Sequence, residues 1–475
     1  MKQALNPYLP SYEYIPDGEP HVFGDRLYIF GSHDKFNGLM FCLNDYVCWS
    51  CPINDLGNWT CHGVIFKRSQ EPKGYPGLFN GLYAPDVAVG PDGKYYLYYF
   101  LSQQGFIGVA KADKPEGPYE YVGHVKYSDG VELVKRGEPL QFDPGVFVDD
   151  DGKIYMYTGF GPKGMPSIML GFHKPTENGP MMFELEKDMI TIKNGPSYIG
   201  VKGIYNGKGT DYEGHEFYEA SSMRKFDGKY YFIYSTMKSH ELAYAVSDNL
   251  VNGFKYGGLL IDNGDLGFNG NTERKNYTGN VHGSIVDILG NKYVFYHRQT
   301  NKHWFSRQGC AEKLRFEDGK FYQSEMTSCG LNNGPLQGKG EFGSYIACNL
   351  YSKEGACDYL PFKFLTSGKH PYFTQKGKDR ENNPNQYIKN MRDGATAVFK
   401  YFDLDIKELS LKINGKGGGK MCIYIDDDLV TSINIEKGKG ERVISTYVNV
   451  TKQNAAIKMK YVGESNIDFI SFTLK

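Results

Sequence analysis

Asp92-Gly93-Lys94-Tyr95-Tyr96-Leu97-Tyr98-Tyr99-Phe100 is the stretch that decides the fold. Asp-Gly tolerates the positive φ of a tight hairpin turn, and the aromatic run behind it favours extended chain. Four more stretches say the same thing: Gly24-Asp25-Arg26-Leu27-Tyr28-Ile29-Phe30, Asp151-Gly152-Lys153-Ile154-Tyr155-Met156-Tyr157, Asp227-Gly228-Lys229-Tyr230-Tyr231-Phe232-Ile233-Tyr234 and Gly290-Asn291-Lys292-Tyr293-Val294-Phe295-Tyr296. They recur about 60–75 residues apart, longer than the ~40–50 of common propeller repeats. Five two-residue hairpins in phase predict an all-β chain with a five-bladed β-propeller over residues 1–325.

Behind each aromatic strand a second pattern returns. Val47-Cys48-Trp49-Ser50 leads to Asn58-Trp59, Gly108-Val109-Ala110-Lys111-Ala112 to Gly117-Pro118-Tyr119, and Leu242-Ala243-Tyr244-Ala245-Val246 to Gly253-Phe254. A strand, an Asp/Asn/Gly turn and an aromatic plug describe the outer half of a four-stranded blade, which makes Trp59 a packing residue. After Arg315-Phe316-Glu317-Asp318-Gly319-Lys320 this pattern stops, and Gly330-Leu331-Asn332-Asn333-Gly334-Pro335 reads as a linker. From about residue 340 to 475, period-two alternation with Gly-rich turns (Leu409-Ser410-Leu411-Lys412-Ile413, Met421-Cys422-Ile423-Tyr424-Ile425, Ile457-Lys458-Met459-Lys460-Tyr461) predicts an antiparallel β-sandwich.

Composition narrows the function. The 475 residues hold 54 Lys plus Arg against 55 Asp plus Glu, a balance that argues against nucleic acid as a partner. No apolar run approaches the ~20 residues of a membrane span, and the N-terminal residues lack a signal-peptide core. Nine scattered cysteines fit reduced thiols, and with them a cytoplasmic location. Cys48-Trp49-Ser50-Cys51 has CxxC spacing, but strand alternation turns its cysteines to opposite faces, so it does not read as a metal site. Tyr (38) and Phe (30) suit strands, and they suit sugar recognition too.

The residues upstream of each hairpin differ in kind. Asp17-Gly18-Glu19-Pro20-His21, Tyr83-Ala84-Pro85-Asp86, Gln141-Phe142-Asp143-Pro144, Phe217-Tyr218-Glu219-Ala220 and Val281-His282-Gly283 all fall at one phase of the repeat. In a blade the strand before the hairpin lines the central channel, so this phase gathers four acids and one histidine at one mouth. Crowded carboxylates raise one another's pKa, leaving one protonated and another ionised. Glycoside hydrolysis needs that division between a general acid and a base or nucleophile. Strand-end capping and metal binding are the other uses open to such a ring.

These motifs, in order over roughly residues 5–325, resemble glycoside hydrolase family 43, five-bladed propellers that hydrolyse arabinofuranosides and xylosides with inversion. The resemblance implies Asp17 as the base that activates water, Asp143 as the carboxylate that orients and tunes the acid, and Glu219 as the acid. The family's first motif is Asp-Pro, and here Asp17-Gly18-Glu19-Pro20 leaves both Asp17 and Glu19 as claimants to the base position. Tyr83-Ala84-Pro85-Asp86 matches a Trp-Ala-Pro-Asp motif except for Tyr83. Tyr83, Phe142, Asp86 and Arg298 are candidate substrate-binding residues, with Arg298 open also to pairing with an acid. His282 would contact a structural calcium in the central channel, and the chemistry itself would require no cofactor. The expected separation of acid and base is the inverting range of about 6.5–9.5 Å. The C-terminal region resembles a family 6 carbohydrate-binding module, but it contains no Trp to stack on sugar, so a buttress for the propeller is an equal reading. The implied substrate is a terminal pentose, α-L-arabinofuranose or β-D-xylose, on a plant-cell-wall oligosaccharide. A β-galactofuranosidase and a catalytically silent sugar-binding propeller are the alternatives, and oligomeric state is not readable.

Overall fold

The computed structural model describes residues 2–74, 81–102, 105–133, 137–165, 170–380 and 385–475. Five four-stranded antiparallel sheets, each made of consecutive strands, form the blades: Glu19–Phe23 through Thr60–Phe66, Leu82–Val89 through Glu120–His124, Gly145–Val148 through Ile192–Tyr198, Phe217–Phe226 through Lys255–Asp262, and Ile285–Ile288 through Lys320–Tyr322. The first strand of each is the inner one. All five inner strands run the same way, so their N-terminal ends share one mouth.

The hairpins split into two kinds. Gly24-Asp25, Asp227-Gly228 and Leu289-Gly290 are two-residue turns, and the last two pairs have positive φ at both positions, as a type I′ turn requires. Asp92-Gly93 and Asp151-Gly152 sit instead in five-residue loops, 90–94 and 149–153. In those loops Gly93 and Gly152 donate back to Gly90 and Asp149, and Asp92 and Asp151 accept from the backbone two residues on. Pro91 and Asp150 add length ahead of the Asp-Gly pair, which the short-turn reading of those two repeats did not allow for.

Hydrophobic clusters lie between neighbouring blades, and they explain the aromatic strands. Tyr98, Met156 and Phe183 join blades two and three, while Tyr157, Phe232 and Tyr234 join three and four. Tyr28, Phe30, Leu97 and Tyr99 join one and two. Trp59 packs on this framework against Tyr8 at 5.2 Å, as a packing residue. Among the described residues no strand is exchanged to close the ring. Asn6 does so by bonding both ways with Ala311 on blade five, and Gly18 bridges to Gly283. At the axis, backbones approach closely: a Cβ on Gly145 would stand 2.2 Å from the Ser221 carbonyl of the next blade.

Residues 336–474 form one ten-stranded hydrogen-bonded sheet that doubles over into a sandwich. The strands Thr396–Asn414 and Glu441–Gly463 belong to both layers and cross between them at bulges near Phe402 and Ile406. At one end they pair with Asn349–Tyr351 and Gly419–Ile425, at the other with Ile467–Leu474. The alternating Leu409, Leu411 and Ile413 point into a core shared with Met421, Ile423, Ile457, Phe469 and Phe472.

The sandwich is docked against blade five and the N-terminal segment. Arg298 lies at the centre of this contact, its guanidinium 3.9 Å from the Phe373 ring centroid, donating to the Ala347 carbonyl at 3.1 Å and to Gln308 at 3.0 Å. Tyr14 donates to Gln375 at 2.7 Å, and Arg380 pairs with Glu13 at 2.6 Å. Arg298→Ala strips buried acceptors of their donor, so it should lower the unfolding free energy by about 2–3 kcal/mol. Urea unfolding followed by circular dichroism measures this, and an unchanged midpoint would show that the domain contact does not depend on Arg298.

Candidate active site

The inner strands end irregularly at the shared mouth, and this irregularity aims the acids. Asp17 and Asp143 precede their strands with φ of 56° and 49°. In blade four, pairing jumps from Glu219↔Ser235 to Ser222↔Ile233 around Ala220, whose φ is 68°. Blade two jumps from Tyr83↔Phe100 to Asp86↔Tyr98 around Ala84. Bulges of this kind re-aim side chains at the ends of strands. Non-glycine residues in the left-handed region cost of order 1–3 kcal/mol each, so the packed ring must hold them there.

Asp17, Asp143 and Glu219 converge on one cavity of about 460 Å³, together with Tyr83, Phe142 and His282. All three carboxylic acids are buried. Aromatic rings form the walls: Tyr83 lies 6.1 Å from Phe142, Phe142 4.8 Å from Phe160, and Phe160 5.3 Å from Tyr218. Phe41 and Trp304 stack on the other side at 6.4 Å.

The acids differ in charge because their neighbours differ. Burial opposes ionisation of Asp17, but the Arg307 guanidinium, 2.9 Å from its Oδ1, acts together with His282 and the Ser32 hydroxyl to hold the carboxyl below its usual range. Arg307 is itself fixed by Asp34, through Nε at 2.9 Å and Nη2 at 3.0 Å, and it lies over the Phe41 ring. Beside Asp17, His297 is pushed down to about 3 by burial, so it is neutral. Its Nε2 donates to the Asn280 carbonyl at 2.7 Å, which leaves Nδ1 to accept the Asp17 backbone N–H at 3.3 Å.

Glu219 has the opposite surroundings. Burial, then the charge of Asp143, raise its carboxyl well above the usual value, so it is protonated at neutral pH. Burial also raises Asp143, against the opposing pull of His282, whose Nδ1 is 3.3 Å away. One buried site thus keeps one acid charged and another neutral.

Glu19 does not reach the cavity. It lies one layer deeper, where Oε2 accepts from Arg224 at 2.6 Å and Ser222 at 3.0 Å. Of the two claimants to the base position, Asp17 is the one that faces the cavity. Asp86 is also deeper. Its Oδ1 bonds His21 at 2.7 Å and its Oδ2 accepts the Val146 N–H at 2.7 Å, so it ties three inner strands together and does not line the binding space.

Arg298 does not line it either. Across the blade-five hairpin Arg298 faces Gln308 and Gln299 faces Arg307, so alternation turns Arg298 to the sandwich and Arg307 to the cavity. Arg307, Phe41, Asn280 and Trp304 carried no signal in the repeat, because none shares the phase of the four acids and His282. Asp358, Tyr359 and Leu360 line the cavity from the C-terminal region, which the repeat pattern does not reach.

The channel below the acids tests the calcium expectation. Glu19 Oε1 is buried with no hydrogen-bond partner among the described residues, and stands 3.7 Å from His282 Nε2. Ligand atoms of Glu19, His21 and Asp86 lie within 4.8 Å of one another. An orphaned carboxylate oxygen facing an imidazole fits a cation when His282 is unprotonated, and calcium would need most of its six to eight oxygens from water.

Comparison with known proteins gives the family. The family model described as glycosyl hydrolases family 43 matches residues 15–321. A xylosidase/arabinosidase of Thermoclostridium stercorarium is 44% identical over 481 residues, covering 100% of this chain and 99% of its own. Among solved structures, a β-xylosidase/α-arabinofuranosidase from a compost microbial metagenome, in complex with xylotriose and in calcium-free form, superposes with a TM-score of 0.53 at 27% identity, covering 68% of this chain and 98% of that one. An arabinoxylan arabinofuranohydrolase from Bacillus subtilis shares the fold over 100% of this chain and 99% of its own, with a TM-score of 0.51 at 21% identity. From the five in-phase blades, the paired acids at their mouth and these matches, the chain belongs to glycosyl hydrolase family 43 and is a glycoside hydrolase.

Proposed function

We propose that the enzyme releases terminal pentoses, α-L-arabinofuranose and β-D-xylose, from arabinoxylan- or arabinan-type oligosaccharides by single displacement with inversion. The observation that carries this reading is the pairing of Asp17, held ionised by Arg307, with Glu219, held protonated by burial and Asp143, in one cavity closed at its acid end. The names of the relatives that match over the whole chain or over the propeller support the pentose class.

In the reaction Glu219 gives its proton to the glycosidic oxygen as the bond breaks. Asp17 takes a proton from water that attacks the anomeric carbon from the opposite face. Arg307 fixes the Asp17 carboxylate and the neutral His297 supports its backbone, so the base is oriented before substrate arrives. Asp143, paired with His282, keeps negative charge beside Glu219 and so keeps the acid's proton in place at neutral pH.

A calcium ion in the channel would be held by Glu19 and His282. It would supply positive charge beneath Asp143, the same charge that a proton on His282 supplies. Millimolar calcium is expected to raise the melting temperature of the wild type and not of Glu19→Gln. Equal melting curves with and without calcium in the wild type would remove the ion from this reading.

Glu219→Gln should lower kcat/KM on oligosaccharides about 10²–10⁴-fold. The loss should be smaller on p-nitrophenyl α-L-arabinofuranoside and β-D-xyloside, because nitrophenolate departs without a proton. Asp17→Asn should lose activity on both kinds of substrate alike, since each needs activated water. Release assays on the two nitrophenyl glycosides and on xylobiose check this. Near-normal turnover of xylobiose by Glu219→Gln would remove the acid assignment, and no release from any of them by the wild type would favour a galactofuranoside substrate or a silent binder.

The alkaline limb of the kcat/KM profile reports loss of the Glu219 proton in the free enzyme. Asp143→Asn deletes a charge that raises Glu219, so that limb should move to lower pH. A limb that stays in place would mean that burial alone sets the acid.

A further inference from the structure

One stretch of the C-terminal domain reaches beyond its packing contact with the propeller. Between two sandwich strands, Asp358-Tyr359-Leu360-Pro361-Phe362-Lys363-Phe364-Leu365 leaves the sandwich and runs to the mouth of the cavity. Its start is annealed to blade five: Thr278 donates to the Cys357 carbonyl at 3.1 Å, Tyr359 donates back to Thr278 at 2.9 Å, and Trp304 Nε1 donates to the Tyr359 carbonyl at 2.6 Å. Asp358 pairs with Arg274 at 3.0 Å and accepts from the Thr278 hydroxyl. Its far side reaches blade one, where Lys363 donates to Asn37 at 2.9 Å. The segment is therefore fixed across the rim.

What it presents there is apolar. Leu360, Phe362, Phe364 and Leu365 are 44%, 38%, 81% and 49% exposed, four large apolar side chains within six residues. Leu365 donates to the Phe362 carbonyl at 2.9 Å, a turn that lifts Phe364 clear of the surface. Phe362 and Phe364 lie parallel, 5.7 Å apart and 5° from coplanar orientation. The series is continuous with the cavity wall: Phe362 packs edge-on to Phe305 at 6.0 Å, and Phe305 edge-on to Phe41 at 4.8 Å. An exposed aromatic patch joined to a binding cavity marks a ligand surface.

The proposed reaction, on which this inference rests, says which ligand. The acids occupy the buried end of the cavity, so the sugar that is released sits there. Every further sugar must lie at the mouth, where Leu360 stands on the wall. Pyranose and furanose rings carry C–H-rich faces that pack flat on exposed aromatic rings, and neither Phe362 nor Phe364 offers a polar atom that would demand one linkage.

We propose that Leu360, Phe362 and Phe364 of the C-terminal domain form the leaving-group side of the active site, a platform on which the second and later sugars of an oligosaccharide stack. The domain then sets chain-length preference, while the propeller sets the released sugar.

The test is steady-state kinetics of the full-length enzyme on paired di- and tetrasaccharides, of β-1,4-linked xylose and of α-1,5-linked arabinofuranose. The wild type should prefer the tetrasaccharide. Phe364→Ala should reduce the tetra-to-disaccharide ratio of kcat/KM about tenfold, mainly through KM, and Phe364→Trp should keep it. An unchanged ratio in Phe364→Ala overturns the platform, and so does an equal loss on both lengths, which would make the segment a prop for the cavity. If the wild type cleaves none of the four, the exo-pentosidase reading has failed and the platform falls with it. That outcome is distinct because it appears before any variant is compared.

Discussion

The interaction on which the structure depends is the buried charge balance at the propeller axis. Asp17, Asp34, Asp86, Asp143, Glu19 and Glu219 all lie out of water within one ring. Isolated buried carboxylates cost several kcal/mol each, and they persist only when paired or protonated. Here each one has its own solution. Asp17 and Asp34 share Arg307, Glu19 takes Arg224, Asp86 takes His21, and Asp143 takes His282. Of these six, Glu219 alone has no basic side chain paired with it, and it keeps its proton. The general acid we propose is thus the carboxyl that the charge balance leaves over, and the proposed chemistry uses the same pairing that lets these acids be buried.

That balance also explains the irregular ends of the inner strands. A regular strand would point alternate side chains into the channel and the intervening ones between blades. The bulges at Ala84 and Ala220 and the left-handed Asp17 and Asp143 break the alternation where the acids must turn upward. Hydrogen bonds across the axis then hold the strained ends. Examples are Val146 N–H to Asp86, the Ser222–Ser284 hydroxyl pair, and Arg224 to the Ile285 carbonyl.

Much of this was legible in the sequence because it repeats. Five aromatic hairpins marked the blades, and the phase of the acids ahead of them marked the inner strands, so Asp17, Asp143 and Glu219 could be picked out before any contact was known. What did not repeat could not be read that way. Arg298 and Arg307 lie on adjoining strands of one hairpin, and only their register, Gln299 opposite Arg307, decides which arginine faces the acids. Asp86 shares the phase of the acids, yet the Ala84 bulge sets it a layer lower. Two of the three Asp-Gly pairs among these hairpins sit in longer loops because Pro91 and Asp150 precede them, a local insertion that leaves the blade unchanged.

The C-terminal domain shows the same limit in a different form. Its alternating strands revealed a sandwich, and its lack of tryptophan argued against a sugar-stacking face. Both observations concern the strands, whereas the residues that meet the cavity lie between them. Leu360 and Phe362 acquire their position from the pairing of Thr278 with Asp358 and from the Trp304–Tyr359 bond, contacts between segments more than fifty residues apart in sequence. The dependence runs in both directions. Arg298 and Tyr14 of the propeller are buried by the sandwich, while the cavity of the propeller is walled in part by the sandwich's own segment. A propeller that matched this one residue for residue but lacked the second domain would keep its acid and its base and lose one wall of its substrate site. On the proposed reading the two domains then form one catalytic unit, divided between the sugar that leaves and the chain that it leaves.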